Sequence, residues 1–213
     1  MPHHVTQRGN RRQETFFNEG DYCLYKALLA EFCSLYPLEI LAYCLMPNHI
    51  HLVAVPSTSD SLRHAIGKTH RQYTLKVNDR MGWRGCLWQG RFYSCPMDER
   101  HTVATVRYIE QNPVRAGLVE TAWRWPWSSA KAHVLGTDDG LVKVQPLLEM
   151  IGDWGKFLLE NSPEAKLIRK HSATGRPLGD AQFVERCERI TGRDLSMGGA
   201  GRPPKKREGL HEG

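Results

Sequence analysis

Two histidines one residue apart, His49 and His51, stand in the run CLMPNHIHLVAVP over residues 44–56, which is otherwise almost wholly apolar. Met46-Pro47-Asn48 reads as a turn, and the aliphatic and β-branched residues after it read as a strand. Side chains alternate along a strand, so both imidazoles face one way with Cα atoms roughly 7 Å apart, which lets two ring nitrogens converge on one cation. The same pair equally suits a hydrogen-bonded core, since histidine serves there as readily as it serves as a metal ligand. A second group favours the metal. Tyr108 and Asn112 lie at i, i+4 near the end of a helix and project from one face, and Pro113 predicts where that helix stops. Asn112 offers a carbonyl oxygen of the kind a hard divalent cation accepts. Alone, a tyrosine and an asparagine at a helix end are ordinary; two imidazoles, an amide oxygen and a phenol together make a coherent site.

These residues need a frame. His3 to Arg8 reads as a strand and Gly20 to Tyr36 as a helix with apolar residues at helical spacing. Leu38 to Leu45 pairs with the histidine strand in a hairpin apolar on both faces, which places it inside a sheet. Ser59-Asp60 caps a helix running to about Arg80, Trp88 to Met97 returns as a strand, and Asp98 caps a helix ending at Asn112. This order predicts an α+β domain, a ferredoxin-like antiparallel sheet with helices on one side, plus a mainly helical C-terminal extension. The expected boundaries are a first domain over 1–130, an extension over 131–200 and a basic, disordered tail over 201–213. Within the extension, VQPLLEMIG and WGKFLLENSPEAKLIRK read as two helices, and the segment from Thr174 to Ser196 as half of a helix-turn-helix.

The chain has 213 residues, a formal net charge of +6 and six cysteines without a C-x-x-C pair. It shows no signal peptide and no apolar run long enough to span a bilayer, so the expectation is a reduced cytoplasmic protein, nucleoid-associated, with no membrane partner, acting as monomer or homodimer. The basic balance points to a polyanionic partner. Candidate phosphate contacts are Arg8, Arg11 and Arg12 in TQRGNRR, Arg71 on the long helix, and Arg176 and Arg202 in two Gly-Arg-Pro segments. Trp83 and Trp88 suit either base stacking or core packing.

Four ordered blocks, HVTQRGNRRQETFF, MPNHIHLVAV, GCLWQGRFYS and YIEQNPVRAGLV, resemble those of the single-tyrosine HUH transposases of the IS200-like kind, specifically the REP-associated tyrosine transposases. The resemblance covers about residues 1–130. It implies a ferredoxin-like fold, single-stranded or hairpin REP-type DNA as partner, and a divalent cation, Mg2+ or Mn2+. It carries His49 and His51 over as the metal pair, Tyr108 as the nucleophile and Asn112 as the polar residue one turn beyond. The chemistry is self-consistent: a phenol can attack a phosphodiester when a metal withdraws charge from the non-bridging oxygens. That attack leaves a 5′-phosphotyrosine and a free 3′-OH, retaining bond energy so that one site can nick and rejoin without a nucleotide cofactor. Tyr43, Tyr73 and Tyr93 lack a metal-type partner at i+4. Two other readings stand beside this one: a catalytically idle DNA-binding protein or repressor on the same fold, and a metal-dependent hydrolase of small phosphoesters. With the motifs before residue 130, truncation after about 170 is expected to leave nicking detectable.

Overall fold

The computed structural model describes residues 1–195. Its sheet is built from β1 (His3–Arg8), β2 (Leu38–Met46), β3 (His49–Pro56) and β4 (Tyr93–Pro96), all antiparallel, in the order β2-β3-β1-β4. With α1 (Glu19–Leu35) after β1 and α2 (Ser61–Met81) after β3, this is the predicted α+β, ferredoxin-like arrangement. The Asn18 side chain accepts from Asp21 N to start α1. Gly82, at φ 64°, closes α2 in the left-handed region that glycine enters without a Cβ penalty.

One face of the sheet buries Val5, Ile50, Leu52, Tyr43 and Leu45 against Tyr25 and Leu29 of α1 and Ile66, Tyr73 and Val77 of α2. The opposite face is covered by α3 (Glu99–Glu110), whose Ala104, Val106 and Ile109 pack with Ala42, Cys44, Met46 and Val53. Helices on one side therefore describes α1 and α2 and is corrected for α3. The hairpin strands are apolar on both faces, so the second face also needs cover. β3 lies inside the sheet as expected, whereas β2 is an edge strand. Its open side is covered by later chain: Leu45 N donates to Trp127 O at 2.8 Å and Tyr43 N to Ser129 Oγ at 3.0 Å. β4 is shorter than the predicted Trp88–Met97 strand: Trp88 still pairs with Gly9 in an isolated antiparallel bridge while its ring joins the α1/α2 core, and the ladder breaks after it at Gly90, whose φ is 71°.

Beyond α3 come α4 (Asn112–Arg115), α5 (Ala130–Leu135), α6 (Gln145–Leu148), α7 (Trp154–Leu159), α8 (Ala165–Thr174) and α9 (Ala181–Thr191). The helix expected over 154–170 breaks into α7 and α8 around Pro163, which removes an N–H from the helical ladder. The extension does not stand apart in packing: Leu147, Trp154, Phe157, Ile168 and Leu178 share one buried cluster with Val106, Tyr108 and Ile109. Cys44, Cys95 and Cys187 are buried fillers, while Cys23 and Cys86 are exposed. Arg202, the second Gly-Arg-Pro and the tail over 201–213 lie outside the described residues. Among the described residues no helix is long and apolar enough to cross a membrane.

The tie between α3 and the extension is polar as well as apolar. Glu110, fully buried, accepts from Ser129 Oγ, from His133 Nδ1 at 2.7 Å and from Trp154 Nε1 at 2.9 Å. Glu110→Ala strands the His133 and Trp154 donors in a closed interior and leaves Ser129 its longer bond to the Tyr43 carbonyl at 3.2 Å. It is expected to lower the free energy of urea unfolding by about 3 kcal/mol or more. A loss below about 1 kcal/mol, the size of one ordinary hydrogen bond, would show that the cluster is not holding the extension down.

Candidate active site

The β3 residues facing α3 include His49 and His51, and the neighbouring strand supplies the rest of that surface by register. Arg8 of β1 lies opposite His49, Thr6 opposite His51, and His4 opposite Val53, one diagonal step from His51. From the other side α3 delivers Tyr108. The imidazole centroids of His49 and His51 are 5.0 Å apart, and the Tyr108 ring is 6.0 Å from His51. All three, with Asn112, line one cavity of about 570 Å³.

Burial disfavours protonation of the pair: His49 is held down to about 4, with Arg8 adding repulsion, and His51 well below the usual histidine range. Both rings are therefore neutral at physiological pH. Their Nδ1 atoms are engaged, His49 with Asn48 Oδ1 at 2.6 Å and His51 with His4 Nε2 at 2.9 Å, which leaves both Nε2 atoms for a cation. This donor set fits a divalent cation that keeps water or substrate oxygens as its remaining ligands.

The helix carrying Tyr108 does not run on to Asn112. α3 ends at Glu110, and Asn112 opens α4 with Pro113 in the first turn. Proline suits that position because its missing N–H would have had no partner, so here it starts a helix rather than stopping one. Arg115, on α4, donates to both the Tyr108 carbonyl and Asn112 Oδ1, and the buried Asn112 Nδ2 has no protein partner. The amide oxygen expected to meet the metal is thus held by a guanidinium.

Tyr108 lies between two cations. The Arg115 guanidinium sits 4.4 Å from the ring centroid, and Arg169 of α8 sits 5.9 Å from it with Nε 3.4 Å from the hydroxyl. Arg8, Arg115 and Arg169 all line the cavity, and among the described residues no Asp or Glu does. Tyr43 and Tyr73 belong to the α1/α2 core, whereas Tyr93 is on the cavity and about half exposed.

The basic turn after β1 is tightly built. A Cβ on Gly9 would lie 2.2 Å from the Gln13 carbonyl, Arg11 and Arg12 take left-handed backbone at φ 53° and 64°, and Asn48 Nδ2 donates to Arg12 O. Both arginines are exposed. Arg71 lies elsewhere, in a groove with Trp83, Arg84 and Trp88. Arg176 follows α8, its carbonyl accepting from Cys95 Sγ at 3.0 Å. His4, Arg115, Arg169 and Ser172 line the cavity without having been singled out from sequence. Arg115 was visible within YIEQNPVRAGLV, three residues past Asn112; the others depend on strand register or on the docking of α8.

The model of IS200-like transposases matches residues 1–112. A protein of Haemophilus influenzae named as a REP-associated tyrosine transposase is 30% identical over 144 residues, covering 61% of this chain and 80% of that one. A REP-associated tyrosine transposase of Escherichia coli is 29% identical over 94 residues, 44% of this chain and 54% of that one. A solved structure of a REP-associated tyrosine transposase bound to a REP hairpin superposes with a TM-score of 0.51 at 23% identity, covering 67% of this chain and 82% of that chain, and shares its fold.

Proposed function

We propose, because the chain belongs to the IS200-like transposase family and within it to the REP-associated tyrosine transposases, that it nicks and rejoins hairpin DNA of the REP type through a covalent bond to Tyr108. The observation carrying this reading is the single cavity where Tyr108, the two bare imidazole nitrogens and three arginines meet with no carboxylate among the described lining residues. That surface suits a phosphodiester. In the reaction the Tyr108 oxygen bonds to phosphorus as its proton departs, and the P–O3′ bond breaks. The 3′ oxygen takes up a proton, and the 5′-phosphate stays on Tyr108. Attack by an incoming 3′-OH reverses these changes and releases the tyrosine. A Mg2+ or Mn2+ ion on His49 and His51, and on Asn112 once Arg115 yields its oxygen, would draw charge from the non-bridging oxygens. Arg115 and Arg169 lie beside Tyr108, where their positive charge would stabilise the negative charge on the attacked phosphate.

The test is incubation of the full chain with Mn2+ and an end-labelled hairpin oligonucleotide carrying single-stranded flanks. The expected products are an adduct that survives denaturing electrophoresis and a fragment ending in 3′-OH. Binding without cleavage would favour the idle DNA-binding reading, and cleavage without an adduct the hydrolase.

The Arg8 to Arg12 turn follows the strand that lines the cavity and is assigned to the DNA backbone, with Arg71 and Arg176, and Arg202 beyond the described residues, as further proposed contacts. Replacing Arg11 and Arg12 with Ala is expected to weaken hairpin binding and to flatten the log affinity against log salt slope by roughly 1.4 to 1.8, two phosphates' worth. Fluorescence anisotropy across a salt series measures this, and an unchanged slope removes the turn from the interface.

A further inference from the structure

The hydrogen bonds behind His51 have a direction, and their far end lies in the C-terminal extension. On α8 the Ser172 hydroxyl donates to the Ile168 carbonyl at 2.6 Å. A carbonyl only accepts, so the hydroxyl's one proton is committed there and its oxygen is left as an acceptor. His4 Nδ1 lies 2.7 Å from that oxygen and so carries the proton of their bond. A neutral imidazole has one N–H, which makes His4 Nε2 a lone pair. That lone pair lies 2.9 Å from His51 Nδ1, which must therefore be the donor.

We infer that Ser172 and His4 are positioning residues that set the tautomer of His51, keeping the Nε2 lone pair turned to the cavity for a divalent cation; this rests on the metal-dependent reading above. His4 is 1% exposed, and its ring lies edge to edge with that of His51, centroids 5.2 Å apart and planes 17° from parallel, the arrangement an in-plane N–H···N bond requires. His49 is set by a separate, local device. Asn48 Nδ2 donates to Arg12 O, which turns Asn48 Oδ1 toward His49 Nδ1. One ligand is thus oriented by its chain neighbour and the other by a residue 121 positions away. An imidazole protonated at Nε2 cannot ligate through that nitrogen, so losing the relay divides His51 between forms with and without a lone pair at Nε2. α8 then belongs to the site, and a cut at residue 170 removes Ser172 from it.

The test uses the full chain with 15N-labelled histidine, and Mn2+ binding followed by calorimetry. In the metal-free wild type, imidazole 15N–1H correlations are expected to show His51 protonated at Nδ1. In Ser172→Ala, which deletes the acceptor for His4 Nδ1 together with the hydroxyl's bond to the Ile168 carbonyl, that single tautomer is expected to become a mixture and Mn2+ affinity to fall roughly 10-fold. His4→Ala should fall at least as far, and His4→Gln, whose amide oxygen can accept from His51 Nδ1, should recover part of the loss. A wild-type His51 protonated at Nε2 would overturn the inference. So would Ser172→Ala and His4→Ala chains that bind Mn2+ as the wild type does. A wild type showing the Nδ1 tautomer but binding no Mn2+ would refute the metal-dependent reaction and leave the tautomer-setting role supported.

Discussion

Tyr108→Phe is expected to bind a hairpin oligonucleotide as the wild type does and to form no covalent protein–DNA adduct, with cleavage reduced by at least about 10⁴-fold, or roughly 5.5 kcal/mol of barrier. The substitution removes one oxygen and keeps the ring, so the packing of Arg115 over the ring and the apolar contacts of α3 are preserved. That oxygen meets a long contact from Arg169 at 3.4 Å and a side-chain hydrogen bond with Arg115, so its removal should cost on the order of 1 kcal/mol of stability. The control is Tyr93→Phe, which alters the other tyrosine on the cavity and should leave the adduct intact. An adduct at wild-type level in Tyr108→Phe, lost in Tyr93→Phe, would move the nucleophile to β4.

The second large effect concerns the imidazole pair. His49→Ala with His51→Ala is expected to reduce cleavage by about 10³-fold or more and to abolish measurable Mn2+ binding, while hairpin affinity stays close to wild type. Charge withdrawal by a metal supplies several kcal/mol of transition-state stabilisation, which is the source of that magnitude. The fold should survive, because the half-buried His49 contacts its own neighbour Asn48, and removing His51 leaves a single unpaired acceptor on His4, about 1–3 kcal/mol. Chelation of the wild type should reproduce the double mutant's phenotype. Cleavage that persists in both experiments would take the cation out of the reaction and leave the arginines to supply the positive charge.

His49 and His51 were legible because their relation is local: alternation along one strand puts both rings on one side whatever that strand packs against. Tyr108 was singled out by its place in the motif YIEQNPVRAGLV, and the family match over residues 1–112 reaches that position. The strand and helix order was also written in local patterning, and with it the ferredoxin-like sheet. Local patterning misjudged places where two local tendencies compete. Pro113 can end one helix or begin the next, and Gly90, in the left-handed region, can interrupt a strand that the residues on either side of it favour.

The sequence by itself determined most of the strands and helices and put the two imidazoles on one side of β3, since these follow from periodicities of two and 3.6 residues; the proposed nucleophile came from the family's motif. Only the tertiary structure decided that α3 covers the second face of the sheet, that Arg115 holds Asn112, and that α8 brings Arg169 and Ser172 to the same cavity. The reason is physical. A residue's local conformation depends on its near neighbours, whereas a partner 61 positions away, as Arg169 is from Tyr108, is chosen by which apolar surfaces remain uncovered once the sheet has formed.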